Sequence, residues 1–350
     1  MRMLEINSLE KFRSLLGSAE GICIVAHIHP DGDAAGSCLA LYHFLERRMC
    51  VRPHVILPDS LPSYLDFMIP ETGLLIAESN IEAARELISS AGLVVCMDMN
   101  SFNRSGCLEE MLRSSAAEKV LIDHHLNPSV SDFSLVFSEV DVSSTCELLY
   151  FILVGIIGDE GAAGIPEKAR TALMTGMTTD TNNFANSVFP GTFAMASGLL
   201  SAGVDRDAIL SRLYNEYREN RVRAMGYVLS DLLKIRDDGL AYFVLRRDDW
   251  KRLGLEDGET EGFVNIPLGI GKVKLSVFLK EDDGFFRVSI RSKKGISANR
   301  LARECFNGGG HECAAGGRLY WPGDISSPDG AEEYIMNVTA RFLQNGLPVE

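Results

Sequence analysis

Four short apolar runs in the first half of the chain, Ile22–Ala26, Val51–Leu57, Leu93–Met97 and Lys119–Ile122, most narrow what it can fold into. Helix-period patterns lie between or beyond them, at Leu9–Leu16, Leu39–Arg48, Ile81–Ser89 and Glu109–Ser115. Apolar runs of this length without alternation suit strands buried on both faces. Strands alternating with helices make an α/β domain, a mostly parallel sheet with helices on both faces. Such a sheet presents ligands outside the carboxyl ends of its strands. Three of the four runs end there on acids or histidines. Ile22–Ala26 leads into His27, Leu93–Met97 into Asp98, and Lys119–Ile122 into Asp123-His124-His125.

The first ending is the richest: His27-Ile28-His29-Pro30-Asp31-Gly32-Asp33-Ala34-Ala35-Gly36-Ser37, followed by an amphipathic helix expected from about Ala34 to Arg48. Pro30 and Gly32 turn the chain, which aims one imidazole and two carboxylates at a common point. By themselves Asp31 and Asp33 could simply cap the helix. A fourth ending, Thr178-Thr179-Asp180-Thr181, closes the helical pattern Lys168–Met177. Any lone acid here reads as a turn-favouring polar residue. Four endings, one carrying adjacent histidines, are better explained by convergence on one site. The set His27, Asp31, Asp33, Asp98, His124 and Asp180 is rich in oxygen, holds two imidazoles and lacks thiolate. Those donors favour Mn²⁺, then Mg²⁺, with Zn²⁺ less natural. Four carboxylates exceed the needs of one ion, so two divalent cations about 3.5–4 Å apart are expected, bridged by a carboxylate and a water.

Beyond Ser143 the pattern turns helical to about Lys234, with Gly155–Gly164 and Gly191 expected as breaks. Residues 205–237 read as a charged helix or helix pair joining a catalytic domain, 1–204, to a second domain, 238–350. In the second, Tyr242–Arg246, Val273–Lys280 and Phe285–Arg291 alternate apolar and polar residues, as antiparallel strands do. Helix patterns at Ser297–Cys305 and Gly330–Gln344 complete a smaller α+β domain. Its Lys272–Arg318 stretch holds ten Lys/Arg against five acids in a chain of net charge −14. That balance argues against coating long nucleic acid, yet leaves room for a short anion in a local positive pocket. An ordinary solvated face would look the same from charge alone. No apolar run approaches the ~20 residues of a membrane span, and no charged-then-apolar leader opens the chain. Cys23, Cys38, Cys96 and Cys146 lie in apolar elements, none of the eight cysteines has C-x-x-C spacing, and a reducing cytoplasm is expected.

The run H-x-x-x-D-x-D-x-x-G-S, a strand-ending Asp98, D-H-H at 123–125 and T-D-T at 179–181, in this order, resembles the DHH phosphoesterase superfamily. The second domain adds Arg291-Ser292 through Ile296-Ser297, then Gly308-Gly309-Gly310-His311-Glu312-Cys313-Ala314-Ala315-Gly316. This is similar to the GGGH loop of the DHH-associated substrate-binding domain, and the layout is most like the bacterial nanoRNase/pAp-phosphatase subgroup. The resemblance implies one metal on His27, Asp31 and Asp98 and a second on Asp33, Asp98, His124 and Asp180. Asp98 would bridge, Asp123 would orient the histidines, and His125 would face the scissile phosphate. His29 is no ligand in the matching pattern, while Gly36 and Ser37 would close the turn. The implied chemistry is in-line attack on phosphorus by a hydroxide activated between two metals. Arg291, Ser292, Gly308, Gly309, Gly310, His311 and Ala315 would take the substrate's far end, with backbone N–H groups cradling a phosphate. Read without the resemblance, a glycine run is commonly a flexible turn. One departure stands at Asn182, where the family more often has glycine; Asn tolerates the left-handed backbone such a turn needs.

The expected substrates are therefore short oligoribonucleotides and the nucleotide bisphosphate pAp, and relatives often pair as homodimers. The close rival is a cyclic di-AMP or pApA phosphodiesterase using the same machinery. An inorganic pyrophosphatase or exopolyphosphatase shares the metal motifs but would bring a strongly basic motif where this chain has GGGH. A non-catalytic nucleotide-binding module is disfavoured because no ligand position is substituted.

Overall fold

A computed structural model of the chain describes residues 5–344. The residues at 1–4 and 345–350, the outer ends of the two expected domains, lie outside that range. Two compact units divide the chain, the first reaching Glu216 and the second beginning at Tyr217.

The first unit runs α1 (Ile6–Ser18), β1 (Ile22–Val25), α2 (Gly32–Phe44), β2 (His54–Leu57), β3 (Leu74–Ile76), α3 (Ile81–Ser90), β4 (Leu93–Met97), α4 (Glu109–Ser114), β5 (Glu118–Asp123), β6 (Leu135–Ser138), α5 (Thr145–Ile157), α6 (Glu167–Asp180), α7 (Pro190–Ser201) and α8 (Arg206–Leu210). Its six strands pair in parallel in the order β3-β2-β1-β4-β5-β6. Every residue of β1 and β4 is buried, as their unbroken apolar runs require. Side chains alternate between two cores. Ile22 and Ile24 join Phe12, Leu39 and Leu149 on one face, while Cys23 and Val25 join Ile88, Met111 and Leu112 on the other.

Strand order reverses between β1 and β4, and a crevice at such a reversal is where open α/β sheets hold ligands. The helix over that crevice, α2, is buried along its whole length. It packs closely on α6 because both present glycine at the crossing. An added Cβ at Gly36 would stand 2.7 Å from the Ala172 carbonyl, and one at Gly176 3.0 Å from the Gly32 carbonyl. Gly36 thus sits in the second turn of α2, at a helix crossing, and the helix itself begins at Gly32, two residues before the expected start at Ala34.

Other differences have simple causes. The edge strands β3 and β6 are short and only partly buried, so no apolar run announced them. Gly191 does not break a helix; it occupies the first turn of α7 behind Pro190, a residue suited to that position. The 205–237 segment is divided between the units. Asp205 caps α8, which continues through a π turn at Ser211–Asn215, and α9 (Glu219–Tyr227) opens the second unit.

The second unit continues with β7 (Lys234–Ile235), β8 (Leu240–Leu245), α10 (Arg247–Leu253), β9 (Leu275–Glu281), β10 (Phe285–Ser292), α11 (Ala298–Cys305), β11 (Gly309–His311), β12 (Ala314–Tyr320) and α12 (Ala331–Gln344). Its sheet has the order β11-β12-β10-β9-β8-β7. Pairing is antiparallel except between β8 and β9, which run parallel, contrary to the sequence expectation. The long link at 246–274, carrying α10, provides the crossover that a parallel pair needs. Among the described residues, no helix is long and apolar enough to cross a membrane.

Candidate metal centre

Each expected ligand of the first unit stands at the end of an element, where local structure fixes its direction. Asp98 follows β4 at φ 56°, with its N–H donating to the Ile122 carbonyl at 3.0 Å. Asp31 is the N-cap of α2, and its Oδ1 accepts from the N–H groups of Asp33 and Ala34 at 3.0 and 3.1 Å. The capping role is therefore real, but it engages one oxygen and leaves Oδ2 for other work. Asp33 does not cap α2. Its two oxygens accept from the backbone N–H of Thr145 at 2.6 Å and Cys146 at 2.9 Å, the first residues of α5. A helix N-terminus carries partial positive charge, so α5 is built to steady this carboxylate. Asp180 ends α6, and Asn182, Asn183 and Phe184 after it take positive φ values of 45°, 57° and 66°. Asn182 thus occupies the conformation that glycine would otherwise supply.

Asp98 stands between the two groups of donors. Its Oδ2 lies 3.4 Å from His27 Nε2, and its Oδ1 lies 3.6 Å from His124 Nε2. The Thr145 hydroxyl also donates to Oδ1, at 2.9 Å. His124 Nε2 lies 3.8 Å from Asp33 and 3.6 Å from Asp180. Ligand atoms of His27, Asp31 and Asp98 fall within 4.8 Å of one another, and so do those of Asp33, His124 and Asp180. Asp123 accepts from the His125 backbone N–H at 3.1 Å and meets His125 Nδ1 at 2.7 Å. That contact fixes the orientation of the His125 ring. His29 stands apart, against Asp59.

The residues fit divalent cations on two independent counts. His27 Nδ1 lies 2.8 Å from the Ile28 carbonyl, so Nδ1 donates there, and in the neutral ring that a cation would bind Nε2 carries the lone pair. That Nε2 is buried without a hydrogen-bond partner among the described residues. A buried acceptor in this state is poised for a metal. Charge gives the second count. Burial, then the neighbouring carboxylates of Asp98, Asp180 and Asp31, push Asp33 well above the usual carboxylate range. Burial also raises Asp98, but the His27 contact and the charges of His125, His27 and His124 outweigh it and hold Asp98 well below that range. Burial and the Asp98 charge push Asp123 up to about 6, and burial brings His124 down to about 4. Carboxylates crowded in this way favour bound positive charge.

Three contributors carried no signal that was read from the sequence. Thr145 and Cys146 act chiefly through backbone N–H groups, which leave no residue-type signature. The capping pattern Ser144-x-x-Glu147 did mark that helix start, and the Ser144 hydroxyl accepts from Glu147 N–H at 3.0 Å. Arg104 lies in the 3₁₀ segment Phe102–Leu108. Its carbonyl accepts from Ile28 N–H at 2.8 Å, and its Nη1 donates to the Asp98 carbonyl at 3.4 Å.

In the second unit the GGGH stretch is a strand rather than an open loop. Gly309, Gly310 and His311 pair with Gly316, Ala315 and Ala314. The glycines admit close backbone: a Cβ at Gly308 would stand 1.9 Å from the Gly316 carbonyl oxygen. Gly310 N–H donates to Asn299 Oδ1 at 3.1 Å, so the expected cradle is partly closed. Ala315 is buried opposite Ile290 and contributes frame rather than a side-chain contact. The Ser292 hydroxyl donates to the Ile296 carbonyl at 2.5 Å, which makes it frame as well. Arg291 and His311 both pair with Ala314, so the three share one face of the sheet.

A model of the DHH family, N-terminal domain, matches residues 21–177, and a DHHA1 domain model matches 226–327. The chain is 27% identical over 305 residues to the bifunctional oligoribonuclease and PAP phosphatase NrnA of Bacillus subtilis, covering 85% of this chain and 89% of that one. It is 31% identical over 318 residues to the protein of the same name from Thermus thermophilus, covering 89% of each. Among solved structures, an exopolyphosphatase-related protein from Bacteroides fragilis is 34% identical and superposes with a TM-score of 0.89, covering 99% of both chains.

Proposed function

The chain belongs to the DHH family of phosphoesterases, and from that premise we propose that it hydrolyses short oligoribonucleotides to mononucleotides and pAp to AMP. The observation that carries the reading is the double cluster of donors meeting at Asp98. His27, Asp31 and Asp98 would hold one divalent cation, and Asp33, Asp98, His124 and Asp180 a second, with Mn²⁺ ahead of Mg²⁺. Cations held there would supply Lewis-acid charge at the phosphoryl group and lower the pKa of a bound water.

This chain's own residues do the rest. Asp123 fixes the ring of His125, which offers Nε2 to the scissile phosphate as a hydrogen-bond partner or proton donor. Thr145 and the start of α5 keep Asp33 and Asp98 from turning away. Arg291 and His311, on one face of the second sheet, take a further phosphate of the substrate. The substrate class is supported by the names of the two bacterial relatives, each matched over most of its length.

The test is a Mn²⁺-supported hydrolysis panel of 5′-labelled RNA from dimer to 24-mer, pAp, pApA, cyclic di-AMP and pyrophosphate. Fast turnover of two- to five-mers and pAp with slow 24-mer cleavage is expected. Preference for cyclic di-AMP would move the role to cyclic-dinucleotide turnover. Turnover of pyrophosphate alone would overturn the reading of the second unit.

A further inference from the structure

We propose that Glu147 is a positioning residue for the metal centre. It holds the start of α5 and, through Thr145 and Cys146, sets the carboxylates of Asp33 and Asp98. The inference rests on the metal-dependent reading above.

Glu147 lies in the first turn of α5 and is fully buried. Its Oε2 accepts three hydrogen bonds, from Ser143 N–H at 3.0 Å, the Ser143 hydroxyl at 2.6 Å and the Thr192 hydroxyl at 2.6 Å. Its Oε1 is buried without a hydrogen-bond partner among the described residues. Burying a carboxylate is costly, and Ser144 already caps this helix. Starting α5 therefore does not require Glu147.

What the acid adds is a tie between the residue before the cap, Ser143, and the first turn of α7, where Thr192 lies. That tie fixes residues 143–146 at both sides. On this short stretch, Thr145 N–H, the Thr145 hydroxyl and Cys146 N–H meet Asp33 Oδ2, Asp98 Oδ1 and Asp33 Oδ1. Each donor reaches a carboxylate assigned above to a metal. Rotation of the α5 start would turn both carboxylates together. Glycine at 191 leaves the space that Glu147 fills, since a Cβ there would stand 2.4 Å from Oε1.

The experiment is titration calorimetry with Mn²⁺ on the full chain, paired with kinetics on pAp at graded Mn²⁺. Glu147→Gln replaces the acid with its amide, and Gly191→Ala displaces the side chain without touching any proposed metal ligand. Both should weaken Mn²⁺ binding about tenfold or more, the range for groups that support metal ligands. Their kcat should fall at low Mn²⁺ and recover as Mn²⁺ is raised, with KM for pAp unchanged. Leu153→Ala, a fully buried change in the same helix, should lower Tm and leave Mn²⁺ affinity unaltered. If Glu147→Gln fails to fold, Gly191→Ala decides the matter. Affinities within about twofold of the parent, well short of the tenfold expected of such supporting groups, would overturn the proposal, as would equal weakening by Leu153→Ala. A parent chain that binds no Mn²⁺ would remove the metal reading itself, and this inference with it.

Discussion

Asp98 combines two features that rarely coincide by chance. It takes a left-handed backbone, which costs most L-residues about 1–2 kcal/mol and Asp somewhat less. Its carboxylate also faces histidines on both sides, with one oxygen toward His27 and the other toward His124 and the Thr145 hydroxyl. Strain kept at the mouth of a buried strand marks a position held for function rather than packing. Asp98→Asn isolates the charge, because Asn keeps the shape and tolerates the same backbone. Hydrolysis of pAp and of a dinucleotide should both fall by about a thousandfold or more, as expected for loss of a shared metal ligand. The midpoint of thermal unfolding should change little. Selective loss on one substrate would mean that Asp98 is not common to the chemistry.

At the scale of the element, α2 links fold to site, since its N-terminus carries Asp31 and Asp33 while its body crosses α6, which ends on Asp180. Gly36→Ala forces a methyl to within 2.7 Å of the Ala172 carbonyl. Overpacking of this kind destabilises by about 1–3 kcal/mol, readable as a lower urea midpoint. Shifting two helices that carry ligands should weaken Mn²⁺ binding in parallel, and an unchanged midpoint would refute the close crossing. The last turn of α2 carries His43, buried, and burial followed by the Lys168 charge lowers it from 6.5 to about 4. Between those values the unfolded chain binds the proton and the folded chain does not. Stability therefore rises with pH across that window and is lost as pH falls from 6.5 toward 4. From about pH 7 to about pH 5 this group should remove about 2 kcal/mol. His43→Gln should show a correspondingly smaller loss by urea unfolding at the two pH values, and an equal loss would reject the assignment. Elements also explain what could be read in advance. The strands β1, β4 and β5 were legible because double-sided burial demands apolar runs, and the polar residues ending them stood out. The edges β3 and β6 and the glycine-rich β11 and β12 lack that pressure. The parallel pairing of β8 with β9 depends on a crossover that alternation cannot reveal. Likewise, the Thr145 and Cys146 contacts to Asp33 belong to the backbone, so only the helix-start pattern hinted at them.

For the whole molecule, the question is how a chain of net charge −14 attracts an anion. Its charge is unevenly distributed: the acids of the first unit surround a site suited to cations, while the Lys272–Arg318 stretch of the second is basic. A short, highly charged substrate can exploit a local positive face, whereas a long strand meets a net repulsive surface. Arg291 and His311 share such a face through their common pairing with Ala314. The adjoining glycines serve close backbone packing, so the proposed recognition assigns the further phosphate to these side chains rather than to an open glycine cradle. His311→Ala should therefore raise KM for pAp and pApA about tenfold or more, the scale of one hydrogen bond to a charged group. Turnover of bis(p-nitrophenyl) phosphate, which has no second phosphate, should stay near the parent value. The comparison separates binding from chemistry because both substrates need the same metals. If both suffer equally, His311 serves the reacting phosphate and the second unit has no separate phosphate contact. If neither changes, recognition of the second phosphate must rest on Arg291 or elsewhere on the basic face.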